Sequence, residues 1–245
     1  RYKANYKLGE LKSSSRLMAL YKKELKRYFS SPIYVINTGF GVVLLLLFAL
    51  ALPFVNLETI IGEVQITGSL QNYIPVVIIF CIATSCTTMA SISIEGKNLW
   101  ILKSLPVPVS LIFTSKILVN LTILAPAILA TVLLGITLHI PLISSLLNVI
   151  VAVSFAIFVS VFGLVINLNY PNLTWSNETV VIKQSTSAMI TTLSGMVLAA
   201  LQYGLLVLTG SMQISIAIFI CLIWPVNFIL YKHLAGKGIR QFERL

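Results

Sequence analysis

Apolar residues fall in six long runs that are separated by short polar segments. The runs cover approximately 34–54, 73–94, 111–138, 143–168, 186–208 and 212–231. A helix needs about 20 consecutive apolar residues to cross the hydrocarbon core of a bilayer. The pattern therefore predicts an all-α membrane protein whose six transmembrane helices form one domain over residues 32–232. Composition agrees, because the chain is 58% hydrophobic and only 10% charged, whereas a soluble domain carries about 25% charged residues.

Basic residues mark one side of this predicted bundle. Apart from Lys116, every one of the 17 Lys and Arg residues lies in 1–33, 95–110, 169–185 or 232–245. We expect Lys116, in the first turns of the third span, to snorkel to the same side. The outer loops hold Glu58 and Glu63 and no basic residue. The positive-inside rule then predicts that both termini are cytoplasmic.

The segments that flank the predicted spans are polar and basic. Residues 1–13 predict a cytoplasmic linker, and residues 233–245 a basic cytoplasmic tail. The chain begins with Arg and shows no signal peptide, so we expect it to be part of a longer polypeptide. Residues 14–31 place apolar and basic positions at helical spacing. They predict an amphipathic elbow helix in the membrane interface, or else a soluble helix packed on a partner. The predicted interface residues are Lys22, Lys23, Lys26, Arg27 and Tyr28.

The sequence EGKNLWILKSLPVP, residues 95–108, interrupts the apolar runs and is called loop A here. Residues 97–103 predict a short helix on the membrane face, and Pro106 and Pro108 end it and start the next element. Such a helix can transmit force to the spans on either side. An ordinary loop with topogenic lysines explains the same residues.

Catalytic and metal sites need residues that this chain lacks or holds in small number. The chain has no Asp and only two His, so we expect no catalytic, cofactor or metal site in it. Cys81, Cys86 and Cys221 fall within spans and are interpreted as packing residues. The middle of every predicted span is free of charge, which disfavours proton coupling. Hydroxyl and small residues in the second and fifth spans allow close helix packing, or line a path for an amphipathic substrate.

Three separated segments resemble one family. Glu95-Gly96-Lys97, Trp100 and Leu102-Lys103-Ser104-Leu105-Pro106 look like a motif of the permeases of bacterial type-2 ATP-binding-cassette exporters. KKELKRYFSSPIYVINT, residues 22–38, resembles their elbow helix and the start of their first span. YPNLTWSNETVVIKQS, residues 170–185 and called loop B here, resembles their second inner loop. The chain would match the C-terminal half of a longer permease.

The resemblance implies a function in which six spans form one transmembrane domain and two such domains pair. A coupling helix in loop A would dock on a separate ATPase, which binds the ATP and Mg²⁺. The implied ATPase-coupling residues are Glu95, Gly96, Lys97, Trp100, Leu102, Lys103 and Pro106 in loop A, and Trp175, Glu178 and Lys183 in loop B. The second domain would come from a homodimer or from the other half of the same permease.

The sequence thus favours a non-catalytic permease component of an ATP-driven exporter, a multi-pass protein of the bacterial cytoplasmic membrane. Its expected partners are the ATPase, a second transmembrane domain and the lipid bilayer, with no nucleic acid. Two alternatives stay open. One is a nonenzymatic membrane scaffold or sensor, and the other is an ion-coupled secondary carrier.

Overall fold

The structure is a computed structural model that describes residues 15–54 and 70–245. The predicted linker 1–13 and most of the predicted outer loop 55–72 lie outside the described residues. The α-helices in the described part are α1 Arg16–Ser30, α2 Pro32–Ala51, α3 Ile74–Ala83, α4 Leu99–Ser104, α5 Val109–Thr137, α6 Leu142–Asn169, α7 Glu178–Lys183, α8 Thr186–Thr209, α9 Met212–His233 and α10 Ile239–Arg244. Shorter turns are the 3₁₀ segments Leu52–Phe54, Leu70–Tyr73 and Ser93–Asn98, and the π-helical turn Leu234–Gly238.

Five of the described helices are long and apolar enough to cross a membrane, namely α2, α5, α6, α8 and α9. The chain is therefore a multi-pass membrane protein. These five confirm the helices predicted for the first, third, fourth, fifth and sixth apolar runs. The most buried is α6, which packs against α3, α5, α8 and α9. Within α6, the rings of Phe155 and Phe158 stack with their centroids 5.5 Å apart.

The prediction of a continuous helix over 73–94 is wrong in its second half. Helix α3 has only 10 residues, about 15 Å at 1.5 Å per residue. That is about half of a hydrocarbon core of about 30 Å. Residues 84–92, called the broken segment here, run as irregular turns into the 3₁₀ segment Ser93–Asn98. Residues 85–92 are all buried within the protein.

Glycines let neighbouring helices approach the broken segment at backbone distance. A methyl group on Gly163 of α6 would lie 2.5 Å from Cys86 Sγ and 3.1 Å from the Met89 nitrogen. On α2, a methyl group on Gly41 would lie 2.6 Å from Ser85 Oγ. The irregular backbone therefore has helix backbone, not lipid, on at least two sides.

The helix predicted over 14–31 is observed as α1, and only Ser31 separates it from α2. Ser15 caps α1 by accepting a hydrogen bond from the Met18 nitrogen, and Ser31 does the same for α2 through the Tyr34 nitrogen. Serine is a preferred N-cap residue because its hydroxyl satisfies a free N–H of the first turn. These caps explain where the break between the two helices falls.

The predicted tail, 233–245, is helical. Helix α9 passes through the turn Leu234–Gly238 directly into α10. Phe242 of α10 is buried and packs edge-on against Phe113 of α5, with centroids 5.6 Å apart. The tail is therefore attached to the base of the helix bundle.

Candidate functional site

One end of the bundle carries every Lys and Arg of the described residues and is called the basic end here. It holds the short helices α1, α4, α7 and α10 and the starting turns of α2, α5 and α8. Loops A and B both lie at this end. The basic residues and the predicted coupling residues therefore lie in one region of the described structure.

Lys116 lies in the interior at the basic end, and the expectation that it snorkels outward is wrong. Its side chain is 0% exposed. The ammonium donates to Glu24 Oε2 at 2.9 Å, to the Ser91 carbonyl at 2.8 Å and to Glu95 Oε1 at 3.2 Å. An ammonium has three N–H donors, so these three acceptors satisfy it completely. The position is about 10 Å into α5, on the side that faces α1 and the broken segment.

Glu95 of loop A is the centre of the charged contacts. Its carboxylate lies 2.6 Å from Arg27 Nη1 and 3.0 Å from Lys23 Nζ, and it also contacts Lys116. Burial by itself would raise the pKa of Glu95, but the charges of Lys116, Arg27 and Lys23 outweigh burial and hold that pKa well below its usual value. Glu95 is therefore ionised at neutral pH.

Together these side chains form the ion cluster, defined as Lys23, Glu24, Arg27, Glu95 and Lys116. Two residues of α1 and one of α5 hold the single carboxylate that loop A contributes. Removing one partner from a buried ion pair costs about 3–5 kcal/mol, because the other charge is left uncompensated. The ion cluster consequently fixes the start of loop A to α1 and α5.

Loop B contacts Gly96 of loop A and Ser93 just before it. The indole N–H of Trp175 donates to the Ser93 carbonyl at 2.7 Å, and the backbone nitrogen of Asn172 donates to Ser93 Oγ at 2.9 Å. The ring of Trp175 covers Gly96, whose φ of +53° favours glycine. A methyl group there would lie 3.0 Å from the indole nitrogen. Gly96 therefore serves both a left-handed turn and a close approach.

The predicted coupling residues of loop A separate into two groups. Glu95, Gly96 and Leu102 point inward and are buried. Lys97, Trp100, Lys103 and Pro106 are exposed, with Trp100 66% exposed. The exposed residues Lys97, Trp100, Ile101 and Lys103 are called the α4 face from here on.

In loop B, the predicted coupling residues take different positions. Trp175 and Glu178 are half-buried, and Glu178 accepts a short hydrogen bond from the Ser31 hydroxyl at the α1–α2 elbow. Lys183, at the end of α7, is exposed. Trp175 and Glu178 thus make contacts within this chain, whereas the amine of Lys183 lies at the surface.

The predicted interface residues of α1 are not equivalent. Lys22 and Lys26 are exposed. Lys23 and Arg27 instead turn toward Glu95. Tyr28 lies in the interior, where its ring packs on Tyr34 with centroids 5.1 Å apart.

Asparagines of two spans satisfy the backbone of the broken segment. Asn120 Oδ1 accepts bonds from the Thr87 nitrogen at 2.6 Å and from Thr87 Oγ1 at 2.8 Å. Asn167 Oδ1 accepts bonds from the nitrogens of Ile92 at 2.8 Å and Ser93 at 3.1 Å. Non-helical backbone at membrane depth is tolerated where protein supplies such partners.

Carbonyl groups of the broken segment are also occupied. The Tyr34 hydroxyl donates to the Thr87 carbonyl, and the Ser187 hydroxyl donates to the Met89 carbonyl at 2.8 Å. Together with the bond from Lys116 to the Ser91 carbonyl, these contacts connect the broken segment to α2, α8 and α5. Sequence reasoning missed this arrangement. The available signal was the presence of Asn120 and Asn167 within two of the long apolar runs.

No family model, curated protein or solved structure matches this chain. The functional interpretation therefore depends on the geometry of the basic end.

Proposed function

We propose that this chain is the transmembrane permease component of an ATP-driven exporter in a bacterial cytoplasmic membrane. The basic end faces the cytoplasm, and both termini lie on that side. ATP and Mg²⁺ bind to a separate ATPase subunit, which docks on the α4 face. The observation that carries the proposal is an exposed aromatic and basic helix face on a loop that buried ions hold in place.

The composition of the α4 face suits a protein partner. Trp100 and Ile101 are 66% and 47% exposed and lie beside two exposed lysines. Tryptophan is among the residues that dominate binding energy at protein interfaces. The inward residues Leu99 and Leu102 are buried against the bundle, so the helix is held by its opposite side.

The contacts beneath loop A give a route by which docking changes the bundle. Glu95 links loop A to α1 and α5 through the ion cluster. Asn167 and Ser187 link the broken segment just before it to α6 and α8. An ATPase that contacts the α4 face differently before and after ATP hydrolysis would shift this connected unit, since only such differential contacts move an equilibrium. Access to a path between this domain and a paired second domain would change with it.

Charge reversal tests the docking role. The double variant Lys97→Glu, Lys103→Glu changes two exposed side chains and leaves the ion cluster intact. We expect severalfold less ATPase to co-purify from native membranes, with the same loss in nucleotide-dependent transport. Lys237→Glu, at an exposed lysine of the same end, is the matched control and should leave both unchanged. Undiminished co-purification in the double variant would reject the assignment.

An ion-coupled carrier is the second candidate, because interrupted helices build the ion sites of many such proteins. The broken segment is an interruption of this kind. However, its carbonyls at Thr87, Met89 and Ser91 already accept bonds from Tyr34, Ser187 and Lys116. Transport driven by a sodium or proton gradient without ATP would favour the carrier. A scaffold or sensor would show no transport with any ATPase.

A further inference from the structure

A groove runs along the outside of the bundle between α2 and α8, over α3 and the broken segment. Its section near the basic end has a volume of about 570 Å³ and includes Asn37, Thr84 and Lys183 among its lining residues. A second section of about 590 Å³ continues away from that end, past Phe48 and Ala200. Met196 lines both sections, so they lie next to each other, and they are together called the groove here.

The length of the groove corresponds to one leaflet of a bilayer. Along α2 it extends from Ile36 to Phe48, which is about 18 Å of helix. Half of a hydrocarbon core of about 30 Å is about 15 Å. The groove, which begins about 6 Å along α2, is therefore about as long as a single acyl chain.

Polarity changes along the groove in one direction. Lys183, Asn37, Thr84 and Thr192 line the section near the basic end together with eight apolar residues. The lining of the second section consists of apolar side chains: Leu44, Phe48, Val76, Val77, Phe80, Cys81, Met196, Ala199 and Ala200. Among the described residues, no carboxylate pairs with Lys183. A cation, hydroxyls and an amide followed by an apolar channel complement an amphiphile with an anionic headgroup.

We propose that this groove binds one anionic lipid, with its phosphate at Lys183 and its acyl chain between α2 and α8. Lysines near the membrane surface attract anionic headgroups. The apolar side chains of the second section would pack against the acyl chain. The binding of an anionic lipid does not depend on the proposed export function. Only the further statement that this lipid class is the exported substrate rests on that function. It assigns Lys183 to lipid instead of the ATPase contact that the sequence predicts.

Binding is tested without any ATPase. The full chain is reconstituted in phosphatidylcholine nanodiscs with a trace of phosphatidylglycerol that carries a photoreactive group on its acyl chain. A phosphatidylcholine probe with the same acyl chain is the matched lipid. We expect labelled peptides from 40–48 and 193–200, with labelling by phosphatidylglycerol about fivefold above phosphatidylcholine, the factor that one lysine supplies at an anionic surface.

Variants separate the headgroup contact from the groove. Lys183→Gln should lower phosphatidylglycerol labelling about fivefold, to the phosphatidylcholine level, whereas Lys237→Gln should leave it unchanged. Ala200→Phe fills the apolar section and should reduce labelling by both probes. Equal labelling by the two lipids would overturn the proposal. Unchanged phosphatidylglycerol labelling in the Lys183→Gln variant would also overturn it. Cross-links from 40–48 to a second polypeptide would also overturn it, because protein would then cover the groove.

The two proposals fail in different ways. Lipid labelling as expected, without an ATPase partner in native membranes, would reject the exporter and keep the lipid site. An ATPase that docks on the α4 face, with no preference for phosphatidylglycerol, would reject the lipid and keep the exporter.

Discussion

Helix α6 and the second apolar run differ in structure although hydropathy treats them alike. Helix α6 continues through 28 residues, Leu142–Asn169, whereas the second run is helical only over Ile74–Ala83 and then unwinds. In α6 the backbone bonds are internal to the helix. In the broken segment some backbone bonds are local, such as that from the Ala90 nitrogen to the Thr87 carbonyl, and others go to Asn120, Asn167 and Ser187 on other spans. The difference shows that hydrogen-bonding side chains on neighbouring helices determine where this span unwinds. Substitutions at those contacts test that dependence.

The largest expected effect comes from removing Asn167. Asn167→Leu leaves the buried nitrogens of Ile92 and Ser93 without their acceptor. Each such group costs about 1–3 kcal/mol, so the free energy of unfolding should fall by about 3–5 kcal/mol. Unfolding in sodium dodecyl sulfate measures it.

Asn148→Leu, on the same helix, is the control. Asn148 is also buried, but its oxygen has no hydrogen-bond partner within the described structure. The change should lower the free energy of unfolding by less than about 1 kcal/mol, since no partner there loses a bond. Equal losses in the two variants would contradict the role of Asn167 in holding the broken segment.

Lys116→Met should have the next largest effect. It leaves Glu24 and Glu95 without their buried cation, and a loss of about 3 kcal/mol in the free energy of unfolding is expected. Adding Glu24→Gln should recover part of the loss, because the cluster then loses one negative charge along with the positive charge of Lys116. A double variant whose loss equals the sum of the two single losses would mean that the two groups do not interact.

Substitution of a glycine tests the close approach of α6 to the broken segment. Gly163→Ala places a methyl group against Cys86 and Thr88, and overpacking of this kind costs about 1–3 kcal/mol. Gly204→Ala, on α8, has no atom within 4 Å of the added methyl group. There the helix should gain up to about 1 kcal/mol, because alanine favours helices over glycine. Thermal unfolding of both variants in detergent provides the comparison.

The pH dependence of stability tests the charge of Glu95. The pKa of Glu95 in the folded protein lies below its ordinary value of 4.5, so Glu95 stabilises the fold fully above about pH 4.5. That contribution is lost as the pH falls toward the folded pKa. Glu95→Gln should therefore lower stability at pH 7 and flatten its decline below pH 4.5. A variant that declines as steeply as the unaltered chain would argue against an ionised Glu95.

The five long helices could be predicted because hydropathy depends on each segment alone. The break at 84–92 could not, because its hydrogen-bond partners at 120 and 167 are distant in sequence. Lys116 shows the same limit: from α5 alone it should snorkel, but Glu24, 92 residues away, binds it inside. Loop A was predictable as a short helix between a glycine and prolines, whereas the inward direction of Glu95 depends on α1.

Site-specific photocrosslinking from position 100 tests the central claim most directly, since Trp100 is the aromatic residue of the α4 face and is 66% exposed. A photoreactive amino acid replaces Trp100 in cells, and position 208, at the other end of α8, serves as the control site. The account predicts that an ATPase without membrane spans is captured from position 100 and not from position 208. Capture of no ATPase at position 100 would contradict the account. So would labelling of position 100 by a membrane-impermeant reagent that is added outside the cells.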